Sequence, residues 1–414
     1  MEKIPVDRPV IFAMNHQNAL MDALAIVYNC NRQVVFMARA DIFKKKMTAR
    51  LLYFLKILPV FRIRDGFHSV DQNKEVFKEV FNVLENKRPV ALFPEGSHLG
   101  ERRLRPFKKG VARLALQAEE AMGTKHDVSV VPVGIYYSNY YHAGSDMLIV
   151  FGDPLSAEPY KDQFLENQPV ALNAMTDDLA RELNKVVINI DSETHYKTLH
   201  DAIEIYCPVE LKKQNLKASL WNIFIIKKEL AGKICSDINA KEKQIGDLKA
   251  DLGTYHQDLK KHRLRDVQVA HPIHNPAGLF LKSLLSLILL PAHFYGMVLN
   301  YLPYRLPVYM ARNIKDPHFI SSVRFVWGLL LFFIWYLLLF ILSFIIFKEI
   351  LPSLAFFISV PLTGIFSFYY YKNLKKLMAD FRWMRIKLKN RSLYIEITEL
   401  RGKIIGAINE LISK

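Results

Sequence analysis

Two stretches in the last quarter of the chain are predominantly apolar and uncharged throughout. Val326 to Phe347 and Ile350 to Tyr371 each run 22 residues without a charge. A helix of that length reaches about 33 Å, enough to cross a hydrocarbon core of roughly 30 Å. Only Lys348 and Glu349 separate them, so the pattern predicts a transmembrane helical hairpin over residues 326–371. Upstream, Gly278 to Leu302 is also apolar but is interrupted by Lys282, Pro291, His293 and Asn300. That composition predicts an interfacial or re-entrant segment within residues 271–325. Beyond the hairpin, Leu374, Leu377, Phe381, Met384 and Leu388 recur every three or four residues among basic ones. Residues 372–414 therefore read as a basic amphipathic tail on anionic lipid, with a partner-helix contact as the alternative from Leu393 to Ile412.

The first half has a different rhythm. Short apolar runs at Pro9–Ala13, Arg88–Phe93, Val128–Gly134 and Met147–Gly152 predict buried strands, and Leu58 to Asp65 alternates like an edge strand. Helical spacing follows at Leu20, Leu24 and Val27, and again at Val111, Leu114, Ala115 and Ala118. Strands alternating with helices predict an α/β domain over residues 1–195. From Tyr196 to Val269 the chain turns charged and helical. One amphipathic helix is expected through Lys212, Leu216, Leu220, Phe224 and Leu230, and a second from Ile234 to Leu264. Residues 196–270 then form a helical accessory hairpin, either solvated or acting as a lid or dimerisation arm, which leaves a homo-oligomer open.

Composition narrows the partners. A net charge of +16 and a pI near 9.5 call for an anionic partner, nucleic acid or lipid. The apolar hairpin decides for membrane lipid, and no zinc-finger spacing or RNA-recognition signature argues for nucleic acid. Arg305, Arg312, Lys315 and Arg324 precede the hairpin, and eight cations from Lys372 to Arg391 follow it. Both flanks, and with them the α/β domain, are expected on the cytoplasmic side. Cys30, Cys207 and Cys235 are widely spaced, as reduced cytosolic thiols would be, with no metal cage.

Chemistry concentrates in the α/β part. His16 and Asp22 follow the first strand in Asn15-His16-Gln17-Asn18-Ala19-Leu20-Met21-Asp22. A carboxylate there can fix one imidazole nitrogen and leave the other as a general base. The other reading is a polar turn with Asp22 in the first turn of a helix. Phe93-Pro94-Glu95-Gly96-Ser97 ends another strand in a tight turn whose backbone amides can face an oxyanion or a phosphate. Five cations lie between Arg102 and Lys109, suited to an anionic headgroup or simply a solvated face. Arg64 offers a planar fork to a phosphate.

In this order the four stretches resemble the glycerolphosphate acyltransferase superfamily over about residues 8–190: His16 and Asp22, then Phe61 to Arg64, then Phe93 to Ser97, then Val131-Pro132-Val133. The resemblance implies a central mixed sheet flanked by helices, with no metal and no covalent acyl-enzyme. It implies that His16 activates the acceptor hydroxyl, that Asp22 orients it, and that Arg64, Glu95, Gly96 and Ser97 hold the acceptor. Lys108 and Lys109 match a basic segment that often follows the third motif. Five residues separate His16 from Asp22, where the family usually has four, so the loop must bulge. That spacing resembles a subset including yeast-type glycerol-3-phosphate acyltransferases. The resemblance also implies elements ahead of the first strand, which this sequence, starting eight residues before it, does not contain.

The function expected is O-acyl transfer from acyl-CoA or acyl carrier protein to 1-acylglycerol 3-phosphate in phospholipid biosynthesis, by a membrane-bound enzyme needing no further cofactor. Glycerol 3-phosphate is the alternative acceptor. A non-catalytic lipid-binding scaffold has no need to keep His16, Asp22, Arg64 and Glu95 together. A serine hydrolase would need a Gly-x-Ser-x-Gly elbow, which the chain lacks.

Overall fold

The computed structural model describes residues 3–61, 67–123, 127–271, 276–314 and 316–413. The chain divides into two compact units: Met1–Asp191 with Ser219–Lys228 and Asp316–Ser322, and Ser192–Ala218 with Glu229–Lys315 and Val323–Lys414.

The first unit is built on a mixed sheet. Its elements run β1 (Val10–Met14), α1 (Ala19–Asn29), β2 (Val35–Arg39), α2 (Lys46–Phe54), β3 (Ile57–Val60), α3 (Phe67–Glu85) and β4 (Val90–Leu92). They continue with α4 (Gly110–Met122), β5 (Ser129–Tyr137), β6 (Met147–Phe151), β7 (Leu155–Ser156), α5 (Lys161–Glu166) and α6 (Gln168–Val186). The strand order is β3-β2-β4-β1-β5-β6, with β7 also on β5. The neighbours from β3 to β5 pair in parallel, whereas β6 and β7 run antiparallel to β5. Parallel strands need crossover helices, and these cover both faces. In β1, Ile11 and Ala13 join the core beneath α4 and α6, while Val10, Phe12 and Met14 join the core beneath α1. Burial on both faces is why the strands read as unbroken apolar runs.

The helix α1 buries a different face from the one its leucines suggest. Ala19, Asp22, Ala25 and Ile26 are buried, whereas Val27 is 54% exposed. The polar bonds made by Asp22 set the rotation of the helix and turn Val27 outward.

The second unit is helical. It comprises α7 (Tyr196–Lys213), the end of α8 (Leu220–Cys235), α9 (Glu242–Lys261), α10 (Asp266–Ala270), α11 (Pro276–Ile288) and α12 (Leu290–Met310). The rest is α13 (Ile320–Phe347, its first three residues in the first unit), α14 (Ile350–Lys389) and α15 (Arg391–Ser413). The accessory segment thus holds four helices. The run expected through Lys212 and Leu230 breaks where Asn215 turns to φ 54°. Helices α13 and α14 are each long and apolar enough to cross a membrane, as the pattern predicts. Nothing between Tyr371 and Lys389 is Gly or Pro, so α14 continues 18 residues past the apolar run instead of yielding to a separate tail. The interrupted apolar stretch is a pair of helices, α11 and α12, bent by 52°. Gly296 lets α12 approach the Thr363 carbonyl of α14, and Asn300 Nδ2 donates to Val360 O at 3.0 Å.

Candidate active site

The register of two neighbouring strands brings the candidate groups together. Ala13 of β1 faces Leu92 of β4, and His16 and Glu95 each lie three residues further on. Both loops therefore leave the carboxyl edge of the sheet side by side, where open α/β sheets place their ligands. Glu95 joins them. Its Oε1 accepts from the His16 amide at 2.9 Å and its Oε2 from the Arg105 amide at 3.2 Å.

Asp22 is fully buried, and its carboxylate is saturated. Oδ2 accepts from the Gln17 and Asn18 amides, each at 2.8 Å, and lies 2.9 Å from His16 Nδ1. Oδ1 accepts from the Tyr137 hydroxyl at 2.8 Å. Backbone amides only donate, so Oδ2 is held as an acceptor and Nδ1 of His16 carries the proton. In the neutral imidazole the lone pair is then on Nε2, the state a general base needs. The imidazole stacks on Phe93 with centroids 3.9 Å apart and planes 21° apart, which fixes its tilt.

The five residues between the dyad members bulge as the spacing requires. Ala19 adopts φ 39°, a region L-residues rarely visit. The loop is pinned on either side. Asn15 Nδ2 donates to Ile135 O and its Oδ1 accepts from Ile135 N, extending the pairing of β1 with β5. Gln17 Nε2 donates to Glu101 O at 3.0 Å, and Asn18 Nδ2 donates to Tyr140 O at 3.1 Å.

In the second loop Gly96 has φ 68°, suited to glycine, and its amide donates to the Phe93 carbonyl at 3.1 Å. That amide closes the turn and is therefore not offered to a ligand. Ser97 Oγ accepts from Arg105. The cation run divides by environment. Arg102 is buried with its guanidinium 4.9 Å above the Tyr136 ring, and Arg103 pairs with Glu101. Arg105, Lys108 and Lys109 are exposed, the two lysines just ahead of α4. Arg64 lies outside the described residues.

Burial makes Glu95 the most perturbed carboxyl here. Desolvation pushes it up to about 7, against the two amide bonds that favour its ionised form. Desolvation also raises the Tyr137 phenol well above its ordinary value, helped by the adjacent Asp22 carboxylate, so it stays a proton donor to that carboxylate.

The structure places His16, Asp22 and Glu95 together; the sequence reading assigns Glu95 to the acceptor. Here each Glu95 oxygen accepts from one backbone amide, His16 or Arg105. Phe93, Tyr137 and Asn15 went unnoticed as parts of the site. Tyr137 ends a strand that is apolar or aromatic from Val130 onward, so nothing local marks it out.

Residues 1–136 match the family model Acyltransferase. The chain is 28% identical over 141 residues to Glycerol-3-phosphate O-acyltransferase 2 of Saccharomyces cerevisiae, covering 34% of this chain and 19% of that protein. It is 25% identical over 204 residues to Glycerol-3-phosphate O-acyltransferase 1 of the same yeast, covering 48% and 25%. The chain thus spans a quarter or less of the length of these relatives. The solved structure of the 1-acyl-sn-glycerophosphate (LPA) acyltransferase of Thermotoga maritima is similar at 20% identity with a TM-score of 0.29, covering 43% of this chain and 69% of that one. The stretch that matches the Acyltransferase family model, residues 1–136, is the one that carries the His16–Asp22 pair and the Glu95 turn.

Proposed function

We propose that the protein is a membrane-bound O-acyltransferase that moves a fatty acyl group from a thioester to a hydroxyl of glycerol 3-phosphate or its 1-acyl form. The observation that carries this reading is the His16–Asp22 pair, with Nδ1 2.9 Å from Oδ2, beside the Glu95 turn. The acceptor hydroxyl gives its proton to Nε2 as its oxygen attacks the thioester carbonyl. The buried Asp22 carboxylate stabilises the imidazolium so formed. Collapse of the tetrahedral intermediate breaks the C–S bond, and the imidazolium returns the proton to the departing thiolate. Glu95 acts as a positioning residue, through the His16 and Arg105 backbone. Arg64, Ser97, Lys108 and Lys109 are proposed to meet the acceptor phosphate, with Gly96 shaping the turn.

Between the acceptors, the sequence reading put 1-acylglycerol 3-phosphate first. The names of the two yeast relatives and the five-residue dyad spacing both favour glycerol 3-phosphate. The donor is acyl-CoA or acyl carrier protein, and the catalytic unit faces the cytoplasm, which the basic flanks of α13 and α14 support. The test is product analysis with purified protein, labelled acyl-CoA, and glycerol 3-phosphate, 1-acylglycerol 3-phosphate or glycerol as acceptor. Acylation of a phosphate-bearing acceptor and not of glycerol is expected. Equal acylation of glycerol, or only hydrolysis of the thioester, refutes the reading.

A further inference from the structure

Helix α1 begins without help from its own N-cap. Asn18 makes no side-chain bond to the first turn, because its amide group is engaged elsewhere. The need is met from far along the chain. The Leu20 amide, an orphan donor of that first turn, donates to Ser322 Oγ at 3.2 Å, and Ser321 donates its hydroxyl to Asn18 Oδ1. Two further contacts come from the same segment. Asp316 Oδ2 lies 3.1 Å from His98 Nε2, and the Phe319 ring meets His98 edge-on at 5.0 Å. His98 in turn stands edge-on to His16, with centroids 5.1 Å apart and planes 89° apart. Residues 316–322 belong to the same compact unit as the sheet, and the last three of them open α13.

We propose that Asp316–Ser322 is a positioning strap for the catalytic loop, a role that rests on reading His16 as the base. The strap grips the two residues that flank Ala19, where the five-residue loop strains to φ 39°. It also braces His98, whose ring stands 5.1 Å from that of His16. A loop carrying one residue more than the usual spacing needs such an outside support to hold Nε2 at a fixed point. The serines, Asp316 and His98 are thus positioning residues.

The experiment measures steady-state acyl transfer by the full-length protein in nanodiscs for wild type, His16→Ala, the double variant Ser321→Ala with Ser322→Ala, Ser322→Thr, and Asp316→Asn. The double variant is expected to lose between about tenfold and a hundredfold in kcat, as small misplacements of reacting groups do, with KM for both substrates within about twofold of wild type. Ser322→Thr keeps the hydroxyl and should stay near wild type. Asp316 is partly exposed, so Asp316→Asn tests the strap even if the double variant fails to fold, and should lower kcat alone. The strap is refuted if wild type is active while Asp316→Asn, or a folded double variant, keeps kcat within about twofold, or if the losses appear in KM instead. Wild type inactive on every acceptor refutes the reading of His16, and the strap with it.

Discussion

Replacing Asp22 by asparagine separates the charge of the dyad from its geometry. Two backbone amides point at Oδ2, so an asparagine must place its carbonyl oxygen there and its NH2 group toward Tyr137. The tyrosine hydroxyl can rotate to accept. His16 Nδ1–H then still finds an oxygen at about the 2.9 Å it has now, and the tautomer is preserved. What disappears is the negative charge beside the imidazolium that forms during attack. With charge centres about 4 Å apart and an effective dielectric near 20, that attraction is worth roughly 4 kcal/mol. A barrier higher by that amount slows turnover about a thousandfold. We expect Asp22→Asn to lose about three decades in kcat in a labelled acyl-CoA assay, with KM and thermal midpoint close to wild type. Asp22→Ala should differ by also losing stability, since the buried Gln17 and Asn18 amides are left unpaired at about 1–3 kcal/mol each. Activity of Asp22→Asn within tenfold of wild type would refute the electrostatic role. Activity equal to that of His16→Ala would refute the preserved tautomer.

Three other substitutions probe the frame. Glu95 is raised from 4.5 to about 7 in the folded protein, so the fold binds its proton more tightly than the unfolded chain does. Its stabilising effect is full below about 4.5 and is lost as pH rises through about 7, a change on the order of 3 kcal/mol. The thermal midpoint of wild type should therefore fall relative to Glu95→Gln between pH 5 and pH 8, and a constant difference between the two would contradict this. Tyr137→Phe removes one of the four donors to Asp22 and should cost about 1–3 kcal/mol of stability with less than tenfold loss of kcat, measured by thermal unfolding and initial rates. Gly134→Ala would put a Cβ 1.8 Å from the Val186 carbonyl, so it should abolish soluble folded protein on size-exclusion chromatography, and a normal elution profile would count against the packing of α6 on β5.

Much of this arrangement was legible because strand burial and helical spacing leave local traces. The run Val10–Met14 reads as a buried strand since both its faces are covered, and His16 then falls at its carboxyl end by counting. The two 22-residue apolar runs are visible for the same reason: length and charge alone set them apart. What escaped is held by long-range bonds. Tyr137 reaches Asp22 across 115 positions, and Ser322 caps Leu20 across 302, distances over which no periodicity speaks. The spacing of Leu20, Leu24 and Val27 marks α1 as a helix, whereas a carboxylate with four donors decides which of its faces turns inward. Glu95 was recognisable from its motif, whereas its bonds to the His16 and Arg105 amides, the latter ten positions on, are seen only in coordinates.

The most direct test of the central claim is acyl transfer from labelled acyl-CoA to glycerol 3-phosphate and to 1-acylglycerol 3-phosphate by wild type and by folded His16→Ala. The account predicts O-acylated product from wild type with at least one of them and only background from the variant. Product formed equally by both proteins would contradict it.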